Sequence, residues 1–185
     1  MAKKVVSIWK TKKPYTLLAP ENFERQEIGS TVASDEKHLI GRTVNVTLGQ
    51  LTNDRSKNYL NLIFEVYDIK GDKALTRFKN FYIPVGYLRS KVRKKTKKVD
   101  TITILQIGEQ KVRVKIMALS RYKISDVQRR NIKTKVAEVL TEHAGDNLDK
   151  LVQQTLFGKV GTEIYKKIKA VCPITRVEVH EIDVL

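Results

Sequence analysis

Apolar and polar positions alternate through the first half of this chain and recur at helical spacing through the second. In TVNVTLGQL (43–51), Val44, Val46 and Leu48 alternate with polar neighbours, the period of a half-buried strand. YLNLIFEVYDI (59–69) places Leu60, Leu62, Phe64 and Val66 on one face. The turn KGDK (70–73) joins it to ALTRFKNFYI (74–83), which predicts a hairpin. TITILQI (101–107) and KVRVKIMAL (111–119), linked through Gly108, predict a second hairpin. Short strands separated by turn signals predict a coiled antiparallel β-sheet or a β-barrel over 40–122.

After residue 124 the period becomes helical. Ser125 and Gln128 have the spacing of a capping box, and Ile132, Val136, Val139, Leu140 and His143 then share a face. Asn147 is placed to cap a second helix with Leu148, Leu151, Val152 and Leu156 inward. Thr162 is placed to cap a third, with Ile164, Ile168 and Val171 inward until Pro173. The segment TRVEVHEIDVL (175–185) returns to a strand pattern, and a terminal strand pairs most easily with the earlier sheet. The expectation is a basic arm over 1–14 and one α+β domain over 15–185, with a helical layer at 125–172 and a last strand at 175–184.

Composition sharpens this picture chiefly through charge. The 185 residues carry 36 Lys and Arg against 20 Asp and Glu, a formal charge of +16. Such an excess points to nucleic acid or an anionic membrane surface. No apolar run approaches the roughly 20 residues of a spanning helix. The most basic stretch, YLRSKVRKKTKK (87–98), offers only Tyr87, Leu88 and Val92 as apolar anchors, so nucleic acid is favoured and no membrane partner is expected. The start, MAKKVVSIWKTKKP, has no Arg, one Ser and no long apolar stretch, and reads as a basic tail rather than a targeting segment. Cys172 is the single cysteine, so no disulfide forms within the chain and a reducing compartment suits it.

The sequence carries no catalytic pattern. His38, His143 and His180 lie far apart without ligand spacing, and there is no phosphate-binding loop, HExxH, GxSxG or CxxC. No enzyme activity, metal or cofactor is expected.

RNA-binding chemistry is what the pattern does support. Arg89, Lys91, Arg93, Lys94, Lys95, Lys97 and Lys98 crowd into one stretch without an acid. Read as a helix, Leu88 and Val92 anchor it while Arg89, Arg93 and Lys97 form an outward ridge. Phosphates relieve the repulsion within such a run, whereas the plainer reading is a solvated face. On the strand KVRVKIMAL, Lys111, Arg113 and Lys115 face one side about 6.5–7 Å apart, a spacing that follows a phosphate backbone. Cations on an exposed strand also guard an edge against pairing. Arg129 and Arg130 lie off the apolar face of the first helix. Lys10, Lys12 and Lys13 come from the arm, with Trp9 and Tyr15 as stacking candidates. Gly158-Lys159-Val160-Gly161 has the form of the KH module's GXXG backbone clamp, although lone GxxG matches are frequent and a tight helix–helix turn is the plainer reading.

Several stretches together carry a resemblance. These are KPYTLLAPENF (13–23), IGST (28–31), GRTVNVTLGQLTND (41–54), YDIKGDKALTRFKNF (67–81), YLRSKVRKKTKKVD (87–100), FGKVGTEIYKKIKAVCP (157–173) and TRVEVHEIDVL (175–185). In order and spacing the chain resembles the archaeal and eukaryotic small-subunit ribosomal proteins of the S-three-Ae family (eukaryotic-type S-one), and its short ends resemble the archaeal type. The resemblance implies a cytoplasmic, non-catalytic constituent of the small (30S) ribosomal subunit, a ribonucleoprotein part serving translation. It implies contacts with small-subunit ribosomal RNA, with neighbouring platform ribosomal proteins, and with mRNA near the exit. The motif it carries over most directly is Tyr87 to Lys98. The alternative from the residues alone is a free-standing regulatory module that binds single-stranded RNA through the clamp at 158–161.

Overall fold

The computed structural model describes residues 12–108, 110–143 and 147–185, so Lys10, Trp9 and most of the arm lie outside it. The chain is α+β, with its longer helices near the C-terminus as expected. It forms two compact units, one running to Lys79 and the other spanning Asn80–Leu185.

The first unit contains β1 (Lys13–Leu18), β2 (Glu27–Ala33), β3 (Thr43–Thr47), α1 (Leu48–Thr52), β4 (Asn61–Lys70) and most of β5 (Lys73–Tyr82). β1 pairs antiparallel with β2 and parallel with β5, while β4 pairs with β3 and β5. The sheet is therefore mixed. Its order has free ends at β2 and β3, which decides for an open sheet over a barrel.

Leu60, Leu62, Phe64 and Val66 are all buried, as their alternation predicts. β1 was the surprise, because Pro14 reads as the end of an arm. The strand tolerates it because only Thr16 to Leu18 are paired with β5, so the missing N–H of Pro14 lies outside the doubly paired part. The expected strand over 43–51 stops at Thr47. There Thr47 Oγ1 accepts from Gln50 N at 3.3 Å and Gln50 Oε1 accepts from Thr47 N at 3.1 Å, a capping box that starts α1. Gly49 is required in that turn, since a Cβ there would meet the Asp54 carbonyl oxygen at 2.8 Å.

The second unit contains the last residues of β5, then α2 (Val85–Lys91), β6 (Lys97–Ile107), β7 (Gln110–Ser120), α3 (Asp126–His143), α4 (Leu148–Leu156), α5 (Lys159–Ile168) and β8 (Ile174–Val184). β7 lies between β6 and β8, antiparallel to both, and β8 also pairs with Asn80 to Tyr82. The terminal strand thus joins the sheet as its pattern predicts. Val112, Val114, Ile116 and Ala118 are buried, and the helices, which contact β6 and β8, bury Ile132, Val136, Val139, Leu140, Ile164 and Ile168. Burying these side chains at about 1.5–3 kcal/mol each is the main drive for this layer.

The Ser125–Gln128 capping box forms as its spacing predicts: Gln128 N donates to Ser125 Oγ at 3.3 Å, and Ser125 N donates to Gln128 Oε1 at 3.0 Å. Thr162 does not cap α5. The helix begins three residues earlier after Gly158 in the left-handed region (φ +73°), and Thr162 Oγ1 donates to the Gly158 carbonyl at 2.9 Å.

Candidate nucleic-acid interface

The basic stretch is only partly helical. α2 ends at Lys91, and Val92 is already extended (φ −78°, ψ 120°). The chain then turns tightly over 93–96: Thr96 N donates to the Arg93 carbonyl at 3.1 Å, Thr96 Oγ1 donates to the same carbonyl at 2.7 Å, and Lys95 takes a positive φ of 76°. Crowded cations disfavour further helical turns, because i and i+4 neighbours would repel. The expected ridge of Arg89, Arg93 and Lys97 on one helix therefore does not form. Nor does the paired anchor: Leu88 is 6% exposed beneath α2, whereas Val92 is 40% exposed.

The strand row is corrected more strongly. β7 is central, so Arg113 and Lys115 guard no edge, and both are held in part-buried ion pairs. Arg113 Nη2 donates to Asp183 at 2.5 Å and Lys115 Nζ to Glu181 at 2.7 Å, each opposite its acid in the β7–β8 register. Lys111 remains exposed and pairs in register with Gln106, at the far end of the ladder from the Lys97–Ser120 pair. Along the strand that separation is roughly 30 Å, so Lys111 does not join the 89–97 cations.

The other candidates divide in the same way. Lys98 pairs with Asp100 at 2.9 Å, a counterion just outside the stretch, and Lys91 lies over the Tyr87 ring at 4.4 Å. Arg129 pairs with Asp126 at 3.4 Å, whereas Arg130 is exposed. Lys13 is exposed at the start of β1 and Lys12 is half-buried just before it, both in the first unit. Arg89, Arg93, Lys94, Lys95 and Lys97 are exposed and have no acidic partner among the described residues.

Folding adds neighbours to these five. Lys97 pairs in register with Ser120, and Ser120 with Ile174, so the starts of β6 and β8 and the end of β7 meet at one end of the sheet. The Ser120 hydroxyl fixes the junction, donating to the carbonyl of Tyr122 at 2.6 Å. Arg121, Lys123 and Arg176 thereby join the basic end, and exposed Tyr122 carries Arg121 over its ring at 5.7 Å. Sequence reasoning missed Arg121, Tyr122 and Arg176. The trio RYK directly after a strand was the available signal for the first two; nothing local marks Arg176.

A mainly apolar groove of about 530 Å³ has Ile83, Leu88, Val92, Met117 and His180 in its lining, with the charged Arg89, Lys98 and Glu181 among its other members. His180 is half-buried, and burial pushes its pKa below the ordinary 6.5. Asp100 and Glu181 pull it back up, and Lys98 and Lys115 add to the depression.

The GXXG motif is not arranged as a clamp. Val160 is buried, and Gly161 lies inside α5, where a Cβ would touch the Val177 carbonyl of β8 at 3.6 Å. Its backbone faces the sheet rather than a ligand. Among the described residues there is no group of three or more metal-ligating side chains, and no helix is long and apolar enough to cross a membrane.

Comparison with known proteins adds an independent result. The model of the ribosomal S3Ae family matches residues 1–185. A protein of Archaeoglobus fulgidus named small ribosomal subunit protein eS1 is 38% identical over 100% of this chain and 89% of its own. Proteins of the same name from Methanobrevibacter smithii and Sulfurisphaera tokodaii are 34% and 36% identical, over 99% and 96% of this chain and 96% and 93% of theirs.

Proposed function

Because the chain belongs to the ribosomal S3Ae family along its whole length, we propose that it is built into the small ribosomal subunit and holds that subunit's ribosomal RNA. The role is structural rather than enzymatic, and its place is the cytoplasmic ribosome, in keeping with the name its relatives bear. One observation supports the RNA contact above the rest: five exposed cations, Arg89, Arg93, Lys94, Lys95 and Lys97, are without an acidic partner among the described residues. A cation held in a part-buried internal pair gains less from phosphate, whereas each of these exposed ones displaces condensed counterions from the RNA when it meets a phosphate.

The finer reading sets the protein on the platform of the subunit, beside other platform proteins and near the path by which mRNA leaves. It rests on the family resemblance. A tagged full-length chain should co-sediment with small subunits through a high-salt sucrose cushion, and crosslinks from Lys94 and Lys95 should fall on ribosomal RNA and on platform proteins. Release of the chain at a salt concentration that leaves the subunits whole would overturn the reading in favour of a free-standing RNA-binding module.

A further inference from the structure

The cations of the α2–β6 turn do not stand on a flat surface. A groove of about 590 Å³ runs between that turn and the start of β8. Ser90, Lys91, Arg93 and Thr96 form one wall, Thr175 and Arg176 the other, and Leu119 lies between them. The strand register explains why the walls meet: Lys98 pairs with Leu119 and Leu119 with Arg176, so Arg176 stands two strands, roughly 10 Å, from β6.

We infer that this groove is a seat for the sugar–phosphate backbone of RNA, gripped from both walls by Arg93 and Arg176. The inference rests on the ribosomal reading above and deepens it by naming the site.

Four features favour a phosphodiester. The lining brings three cations and three hydroxyls together from segments about 80 positions apart in sequence, with no carboxylate in the lining itself. Guanidinium groups offer paired donors that match phosphate oxygens, and two of the three cations are arginines. Arg93 has no acidic partner among the described residues, and its backbone is held by the Thr96 turn, so its position is set before any ligand arrives. Lys94, Lys95, Lys97 and Arg121 extend the positive surface beyond the groove, as a chain of phosphates requires and a single small anion does not.

The lining contains no aromatic ring and no side-chain amide, the groups that stack on bases or read their edges. Binding here is to backbone and is indifferent to base sequence. Arg176 donates to Glu178 through Nε, at 2.5 Å, and its side chain is 43% exposed, so its Nη donors stay available to a phosphate, unlike the single nitrogen of Lys115, which is already held by both oxygens of Glu181.

The experiment compares purified full-length variants for binding to small-subunit ribosomal RNA across a KCl series. Arg93→Gln with Arg176→Gln removes one grip from each wall. Lys166→Gln with Lys169→Gln removes the same charge from exposed positions at the C-terminal end of α5 and just beyond it, and serves as the control. The groove variant should flatten the dependence of log K on log salt by about 1.4–1.8 units and weaken binding roughly 25- to 60-fold at about 0.1 M salt, since each phosphate lost withholds about 0.7–0.9 counterions. The control should change the slope by less than about half a unit. Arg93→Gln alone, whose side chain gives up no ion pair among the described residues, should show about half the slope change and keeps the test valid if the double variant melts early. Equal losses in groove and control variants, or no loss in the groove variant, overturn the groove while leaving RNA binding intact. A parent protein with a slope near zero overturns the groove and the ribosomal reading together.

Discussion

Lys115 on β7 donates from its Nζ to both carboxylate oxygens of Glu181 on β8, at 2.7 and 2.8 Å, directly across the strand register. Both side chains are mostly buried, at 27% and 22% exposed. A cation that alternation along β7 presents as a phosphate ligand is thereby committed to the protein's own sheet.

Replacing Lys115 with Gln should accordingly act on stability. The loss should be about 1 kcal/mol, because the pair is partly screened and Glu181 keeps some solvent. The salt slope of RNA binding should move by less than about half a unit. Thermal melts and filter binding on one preparation check this. A full-unit drop in slope with unchanged stability would return Lys115 to the RNA-binding set.

Arg89 and Arg93 should show the opposite behaviour. Both are exposed and make no ion pair among the described residues. Changing both to Gln should leave the melting temperature unchanged or slightly raised, as repulsion is removed. RNA affinity should fall by roughly 1–3 kcal/mol and the slope should flatten by about one to two units. An unfolded double variant would show that these arginines hold the fold.

Leu88 is the structural counterpart. It is 6% exposed and lines the apolar groove beside Met117. Leu88→Ala should cost about 2–4 kcal/mol in denaturant unfolding, from lost burial and the cavity left behind. Its effect on RNA binding should vanish at low temperature, where the variant is folded. Val92→Ala should cost less than about 0.5 kcal/mol, because Val92 is 40% exposed. Equal costs would mean that α2 is anchored by both residues.

His180 predicts a pH dependence. Burial lowers its pKa below 6.5 in the folded protein, while the unfolded chain titrates near the ordinary value. On acidification the unfolded state takes up the proton first. The unfolded chain then binds more protons than the native one, and stability falls with falling pH. The contribution is fully present above about pH 6.5 and is lost progressively below it, down to the lower folded value. Melting temperatures of His180→Gln should therefore fall less than those of the parent between about pH 7 and pH 5.5. Identical profiles would assign the acid sensitivity to other groups.

Much of this protein was legible in its sequence because the information is local. The strand period of 60–66, the hairpin through Gly71 and the inward stripe of α3 each depend on neighbours within a few positions. The capping boxes show the limits of such reading. Ser125–Gln128 precedes a long periodic run and is plain, whereas Thr47–Gln50 sits inside an alternating pattern that reads equally well as more strand.

Charge was legible as an amount and not as a disposition. A net +16 with one acid-free stretch pointed to a polyanionic partner, since charge is additive along the chain whatever the fold. Which cations remain for that partner depends on strand register, and register is settled by pairing between residues far apart in sequence. Pairing β7 with β8 took Arg113 and Lys115 out of the candidate set and set Arg176 opposite Arg93 across a groove. No local pattern encodes either outcome, because each follows from a terminal strand meeting a segment about 65 to 80 positions earlier.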